Sequence, residues 1–101
     1  MVNIKLEFSG GMELLFDNQR SIDVDIPMTA AIGSDMTVRD AMIWMRDHLL
    51  KERPEMFMKD DTIRPGVLVL VNDADWELSG LEESVIEDGD TLTFISTLHG
   101  G

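Results

Sequence analysis

The sequence predicts one α+β domain, a mixed β-sheet with a single main helix packed across one face. Three observations carry that expectation. Residues 2–8 alternate apolar and polar without a break, and the alternation returns at 22–26 and 91–96; a period of two marks strands with one buried face. Between them lies one stretch whose apolar residues repeat at helical spacing behind a threonine suited to cap it. The chain has 101 residues, 44% of them hydrophobic, which suits a single compact core and is too apolar for a disordered chain.

In the first strand Val2, Ile4, Leu6 and Phe8 face inward, and Ser9-Gly10-Gly11 supplies a turn. A second extended region is expected from about Glu13 to Ile26, completing a hairpin. Its far end places Ile22, Val24 and Ile26 inward and Asp23 and Asp25 outward, whereas Leu14-Leu15-Phe16 is apolar on both faces and Asp17–Arg20 interrupts the pairing. The paired glycines lack the Lys-Ser/Thr that completes a phosphate-binding loop, so they are read as a turn. Pro27 ends the strand, and a loop through Ala30, Ala31, Gly33 and Ser34 leads to the helix. Thr37 is its N-cap, with Asp40 at the positive helix end. Val38, Ala41, Met42, Met45 and Leu49 form the inward stripe, opposite Arg39, Asp40, Arg46, Asp47 and Lys51. A methionine stripe of this kind fills a core. Ile43, Trp44 and Leu50 flank it, half in and half out, and Pro54 is expected to stop the helix near Arg53.

Residues 55–66 are irregular, with Met56, Phe57 and Met58 anchoring them, and Arg64-Pro65-Gly66 reads as a turn. Val67–Val71 is an apolar run of strand length, either covered on both faces or covered on one and sticky on the other. Asn72–Asp75 reads as a turn, Trp76–Leu78 as a short strand, 81–86 as at most one helical turn, and Asp88-Gly89-Asp90 as a tight turn. In the last strand, 91–96, Leu92 and Phe94 face inward and Thr93 and Ile95 outward. The order β-β-α-β-β-β, with the first and last strands as parallel central neighbours, is the β-grasp arrangement. We expect the domain to occupy 1–96 and a flexible Gly-Gly tail to occupy 97–101. Five extended residues reach at most ~17 Å.

A net charge of −12 with only 8 lysines and arginines argues against direct binding of nucleic acid or of an anionic membrane. No apolar run is long enough to span a bilayer, and Met1-Val2-Asn3-Ile4-Lys5 lacks signal-peptide character, so the expected location is the cytoplasm. With no cysteine, there is no disulfide, thiolate metal site or cysteine nucleophile. Any reactive cysteine in sulfur or thioester chemistry must belong to a partner. Serines and histidines form no recognisable triad. His48 and His99 are far apart in sequence, and Asp73, Asp75, Asp88 and Asp90 lack the calcium-loop pattern and read as turn acids. No metal or bound cofactor is expected, and the domain is expected to be a monomer.

The remaining candidate chemistry is the end of the chain, Ser96-Thr97-Leu98-His99-Gly100-Gly101. A glycine-rich terminus is by itself ordinary. Yet a Gly-Gly carboxylate can enter a channel closed to bulkier residues. A carboxylate is a poor electrophile until it is joined to a leaving group such as an adenylyl group. A persulfide or thiolate can then attack the acyl carbon.

Four stretches carry a resemblance to a known family: Leu49-Leu50-Lys51-Glu52-Arg53-Pro54-Glu55, Arg64-Pro65-Gly66-Val67-Leu68-Val69-Leu70, Asn72-Asp73-Ala74-Asp75-Trp76-Glu77-Leu78, and Phe94-Ile95-Ser96-Thr97-Leu98-His99-Gly100-Gly101. In this order and at this length the chain resembles the ubiquitin-related modifier family, ubiquitin-like sulfur carriers of eukaryotic tRNA thiolation. The resemblance implies a ubiquitin-like β-grasp fold and a protein that is a substrate, not an enzyme. It implies that an E1-like activating enzyme uses ATP to adenylylate Gly101, and that a rhodanese-like domain delivers sulfur to give a thiocarboxylate. A tRNA thiolase complex then takes that sulfur for 2-thiolation of the wobble uridine in cytosolic tRNAs. It also implies conjugation to target lysines through an isopeptide bond. Gly100, His99 and Leu98 would occupy the activating enzyme's channel, and no processing protease is implied. The loop 28–35 and the segment 81–87 look individual to this chain. The small subunit of molybdopterin synthase and the thiamine sulfur carrier share the fold and the tail but lack the stretch from Asn72 to Leu78. A plain ubiquitin-like interaction module, binding through a sheet-face surface of Ile95, Leu68 and Leu70 with no tail chemistry, is the alternative from a different class.

Overall fold

Strand β1 (Val2–Ser9) runs through the middle of the fold because both of its edges are paired. On one side lies β2 (Ser21–Ile26), antiparallel, with Leu6 opposite Ile22 and Val2 opposite Ile26. On the other lies β7 (Thr91–Ser96), parallel, with Leu6 opposite Leu92 and Phe8 opposite Phe94. Beyond β7 come β5 (Val67–Val71), antiparallel to it, and the two-residue β6 (Ala74–Asp75), giving the order β2-β1-β7-β5-β6. The single α-helix among the described residues, α1 (Val38–His48), buries Val38, Ala41, Met42 and Met45 in the core shared with the sheet. A separate hairpin, β3 (Met58–Lys59) with β4 (Thr62–Ile63), completes the chain. These statements rest on a computed structural model that describes residues 1–27, 35–50, 53–60 and 62–97. The expected loop from Ala30 to Ser34 lies outside them.

The parallel central pair and the inward alternation agree with the sequence expectation. Val2, Ile4, Leu6 and Phe8 are buried, as are Leu92 and Phe94. All four phenylalanines meet at one end of the core. Phe8 stacks on Phe16 at 4.1 Å between ring centroids, and Phe57 stands edge-on to both Phe16 and Phe94 at 5.5 Å. Each such ring contributes roughly 2–3 kcal/mol of apolar burial, with a smaller gain from the offset and edge-on geometry.

The helix start also follows the sequence. The Thr37 hydroxyl accepts from the Asp40 amide while the Asp40 carboxylate accepts from the Thr37 amide at 3.0 Å, a closed capping box. The Val38 amide donates to the Ser84 carbonyl and the Ile86 amide to the Met36 carbonyl, both at 2.9 Å, tying this end to the segment before β7. Ser84, the one buried polar residue among the described residues, lies 2.8 Å from the Ser79 hydroxyl. The Val67 amide closes the Arg64-Pro65-Gly66 turn at 3.2 Å, with Gly66 at φ +96°. Asn72 and Asp73, at φ +51° and +68°, form the two-residue turn between β5 and β6.

Three expectations are corrected. Residues 12–16 form a 3₁₀ turn, not the start of a strand. Met12 and Phe16, four apart, are both buried while Leu14 is 68% exposed, which is a helical pattern. Gly11 and Asp17, both left-handed, bend the chain at either end of it. The helix ends at His48, well before Pro54. The Leu49 and Leu50 amides both donate to the Met45 carbonyl, at 2.8 and 3.1 Å, so the regular ladder stops there. Pro54 instead opens its own 3₁₀ turn, Pro54–Met56, where its missing N–H costs nothing. Trp76–Leu78 is likewise a 3₁₀ turn, because the Asp75 carboxylate accepts from the Glu77 amide at 2.9 Å and folds the segment over buried Trp76. The short β3–β4 hairpin was not expected at all.

Candidate functional site

The candidate site begins where β7 delivers the end of the chain. The Thr97 amide donates to the Gly66 carbonyl at 2.9 Å, and the Thr97 hydroxyl donates to the same oxygen. On the opposite side Gly10 backs onto Ser96, and a Cβ built on Gly10 would lie 2.2 Å from the Ser96 carbonyl oxygen. Gly10 also sits at φ +67°, where L side chains are strained. Two turns at opposite edges of β7, one at Gly10 and one at Gly66, therefore fix the chain up to Thr97. Leu98, His99, Gly100 and Gly101 lie outside the described residues.

The expected partner surface lies beside this point. Leu68 pairs with Ile95 and Leu70 with Thr93 in the β5–β7 register. Val67 and Val69 are buried on the helix side, while Leu68 on the other face is 48% exposed and Leu70 and Ile95 are half-buried. Strand β5 is thus covered on one face only, which decides between the two readings of its apolar run. Thr93 donates to the Glu7 carboxylate at 3.3 Å on the same outer face.

Other candidate groups are accounted for locally. The ring of His48 is exposed, stacks on Trp44 at 4.9 Å and places Nδ1 3.0 Å from the Trp44 carbonyl. The Asp88 carboxylate accepts from the Asn3 amide at 2.7 Å, and that of Asp90 from the Glu87 amide at 2.8 Å and the Asn72 side chain at 3.1 Å, which makes both turn acids. Among the described residues no group of three His, Asp or Glu side chains is placed to hold a metal, and no helix is long and apolar enough to cross a membrane. The Glu82 carboxylate is held by Thr62 of β4. The Thr62 hydroxyl donates to it and holds its pKa below the ordinary 4.5; its own backbone and Arg39 push the same way against the cost of burial.

The role of Gly10 at the root of the tail was missed in the sequence. Nothing in a Gly-Gly turn distinguishes a glycine that merely bends the chain from one that a strand 86 residues later must touch.

A mixed sheet with a parallel central pair, one helix across it and the last strand leading out of its middle defines a ubiquitin-like β-grasp protein. Residues 3–101 match the family model described as Urm1 (ubiquitin related modifier). The chain is 57% identical over 101 residues to the "Ubiquitin-related modifier 1 homolog" of Chlamydomonas reinhardtii, covering 100% of both chains. It is 57% identical over 102 residues to "Ubiquitin-related modifier 1 homolog 1" of Arabidopsis thaliana, covering 99% of this chain and 100% of the relative. The solution structure of Urm1 from Trypanosoma brucei superposes with a TM-score of 0.79 at 40% identity, over 98% of this chain and 95% of that one. The chain belongs to the Urm1 (ubiquitin related modifier) family.

Proposed function

We propose that this chain is a ubiquitin-like sulfur carrier and protein modifier of the cytoplasm, acted on by other enzymes and not itself catalytic. The Gly101 carboxylate attacks the α-phosphate of ATP on an E1-like activating enzyme, and pyrophosphate leaves. Sulfur from a persulfide on a rhodanese-like domain then attacks the acyl carbon, AMP leaves, and a second cysteine thiol of the partner cleaves the acyl disulfide so formed, freeing the thiocarboxylate and leaving a disulfide on the partner. The resulting thiocarboxylate supplies sulfur to a tRNA thiolase complex for 2-thiolation of the wobble uridine, and the same terminus can be joined to target lysines. The family match running through Gly101 carries this reading, and the geometry is consistent with it. A tail rooted at Thr97 can enter a channel while the globule stays outside, with Gly100, His99 and Leu98 following Gly101 inward. Leu68, Leu70 and Ile95 lie on the outer face beside that root and offer the activating enzyme an apolar grip. ATP belongs to the partner's site, and no cofactor is assigned to this chain.

The test is the intact mass of the protein after incubation with the activating enzyme, ATP and a sulfur donor. The expected product is heavier by the difference between sulfur and oxygen, and the gain is absent when Gly101 is deleted. An unchanged mass with a demonstrably active enzyme would overturn the carrier reading. Leu68→Asp should slow adenylylation without unfolding the domain.

A further inference from the structure

A second surface lies on the helix side of the sheet, away from Leu68 and Ile95. One groove of about 360 Å³ runs along α1 between Asp40, Ile43, Trp44, Asp47 and His48. A smaller one of about 190 Å³ lies between the end of α1 and the edge strand β2, lined by Phe16, Asp17, Gln19, Ile22, His48 and Leu49. His48 walls both, so the two adjoin. Their floor is apolar: Ile43, Trp44, Leu49 and Ile22 pack against the core on one side yet keep part of their surface in solvent. Asp40, Asp47 and Asp17 supply charge on the walls, and among the described residues lining either groove none is lysine or arginine.

We propose that this trough binds a basic segment of a partner protein. Arginine or lysine heads would sit against the carboxylates of Asp40, Asp47 and Asp17, and an aliphatic side chain between them would lie on Ile43, Trp44 and Leu49. Long basic side chains suit such a surface because their stems are apolar and their heads carry the charge, and a guanidinium gains further from an aromatic face. The Asp47 carboxylate accepts from Arg46 Nε at 3.1 Å and that of Asp40 from the Thr37 amide at 3.0 Å. Each carboxylate has lone pairs beyond that one bond. A chain of net charge −12 speeds the encounter with such a partner, while the apolar floor makes this face different from the other acidic surfaces. The site does not involve Gly101 and stands or falls apart from the tail chemistry.

The probe is an acetylated, amidated peptide of alternating arginine and leucine, titrated into the full chain and into a chain lacking Gly100 and Gly101. Trp44 reports directly, since it is half-buried while Trp76 is buried. Both chains should bind equally, with a shift of Trp44 emission and with amide shifts confined to residues 16–22 and 40–49. Asp47→Lys, at an exposed position that leaves the fold intact, should weaken binding by about tenfold or more, as should Trp44→Ala. Binding of Asp47→Lys within about twofold of the parent, the value of an exposed ion pair that contributes little, would overturn the proposal. So would shifts spread equally over the turns at Asp73 and Asp88, which would mark plain attraction to net charge, or no binding at all.

Discussion

Strand β7 carries two sets of residues with different burdens. Leu92 and Phe94 point toward the helix and are fully buried, whereas Thr93 and Ile95, one residue along, point away and keep part of their surface in solvent. Strand β5 repeats the contrast with Val67 and Val69 against Leu68 and Leu70. The period of two assigns stability to one face and leaves the other available for recognition. The outer face must keep residues that suit a strand, but it need not fill a fixed volume.

The largest expected effect breaks the inner face. Phe94→Ala removes a ring that contacts both Phe57 and Phe8 and should lower unfolding stability by about 3–5 kcal/mol. That is a large share of the roughly 5–15 kcal/mol that holds a domain of this kind. Ile95→Ala, one position away, should cost under about 1.5 kcal/mol, because only part of its side chain leaves water on folding. Urea unfolding of both variants checks the contrast, and equal losses would show that the outer face is part of the core. Gly10→Ala is expected to fall between them. Its new Cβ meets the Ser96 carbonyl at 2.2 Å from a left-handed backbone, so the turn must shift, at about 1–3 kcal/mol. The amide signals of Ser96 and Thr97 should move with it. Unchanged signals would mean that the tail root is not held from that side.

Much of this was legible in the sequence. The strands that alternate strictly, the Thr37 cap and the turns at Gly66 and Gly89 were readable because each is decided by a few neighbouring residues. What could not be read was decided at a distance. Leu14-Leu15-Phe16 looks extended until Phe8 and Phe57 claim Phe16, and Trp76 looks like a strand residue until Asp75 caps the turn that buries it. The helix end was misread because Pro54 is the obvious stop, while the actual stop is a shared carbonyl at Met45. Ile95 was legible as outward-facing from its alternation with Leu92 and Phe94, whereas the face of Leu68 and Leu70 stayed open, because Val67–Val71 is apolar at every position. Gly10 was not legible, because its function depends on a strand at the other end of the chain.

The smallest expected effect lies on neither face of the sheet, in the layer of turns beside the helix. There the Thr62 hydroxyl donates to the Glu82 carboxylate, while Arg39 pairs with the neighbouring Glu83. Because Glu82 titrates below its ordinary 4.5 when folded, its ionised form is favoured by folding. The stabilisation is therefore complete above the ordinary value and is lost as pH falls through the folded one. Thr62→Val removes the donor and lets Glu82 move back toward its ordinary value. Parent and variant should differ in urea midpoint at about pH 7, and the proton-linked part of that gap should narrow at a pH well below 4.5. A gap of the same size at both would mean that Thr62 acts through packing against the hairpin and not through the carboxylate. In that case this outer layer would obey the rule of the buried face, where volume and not charge decides stability.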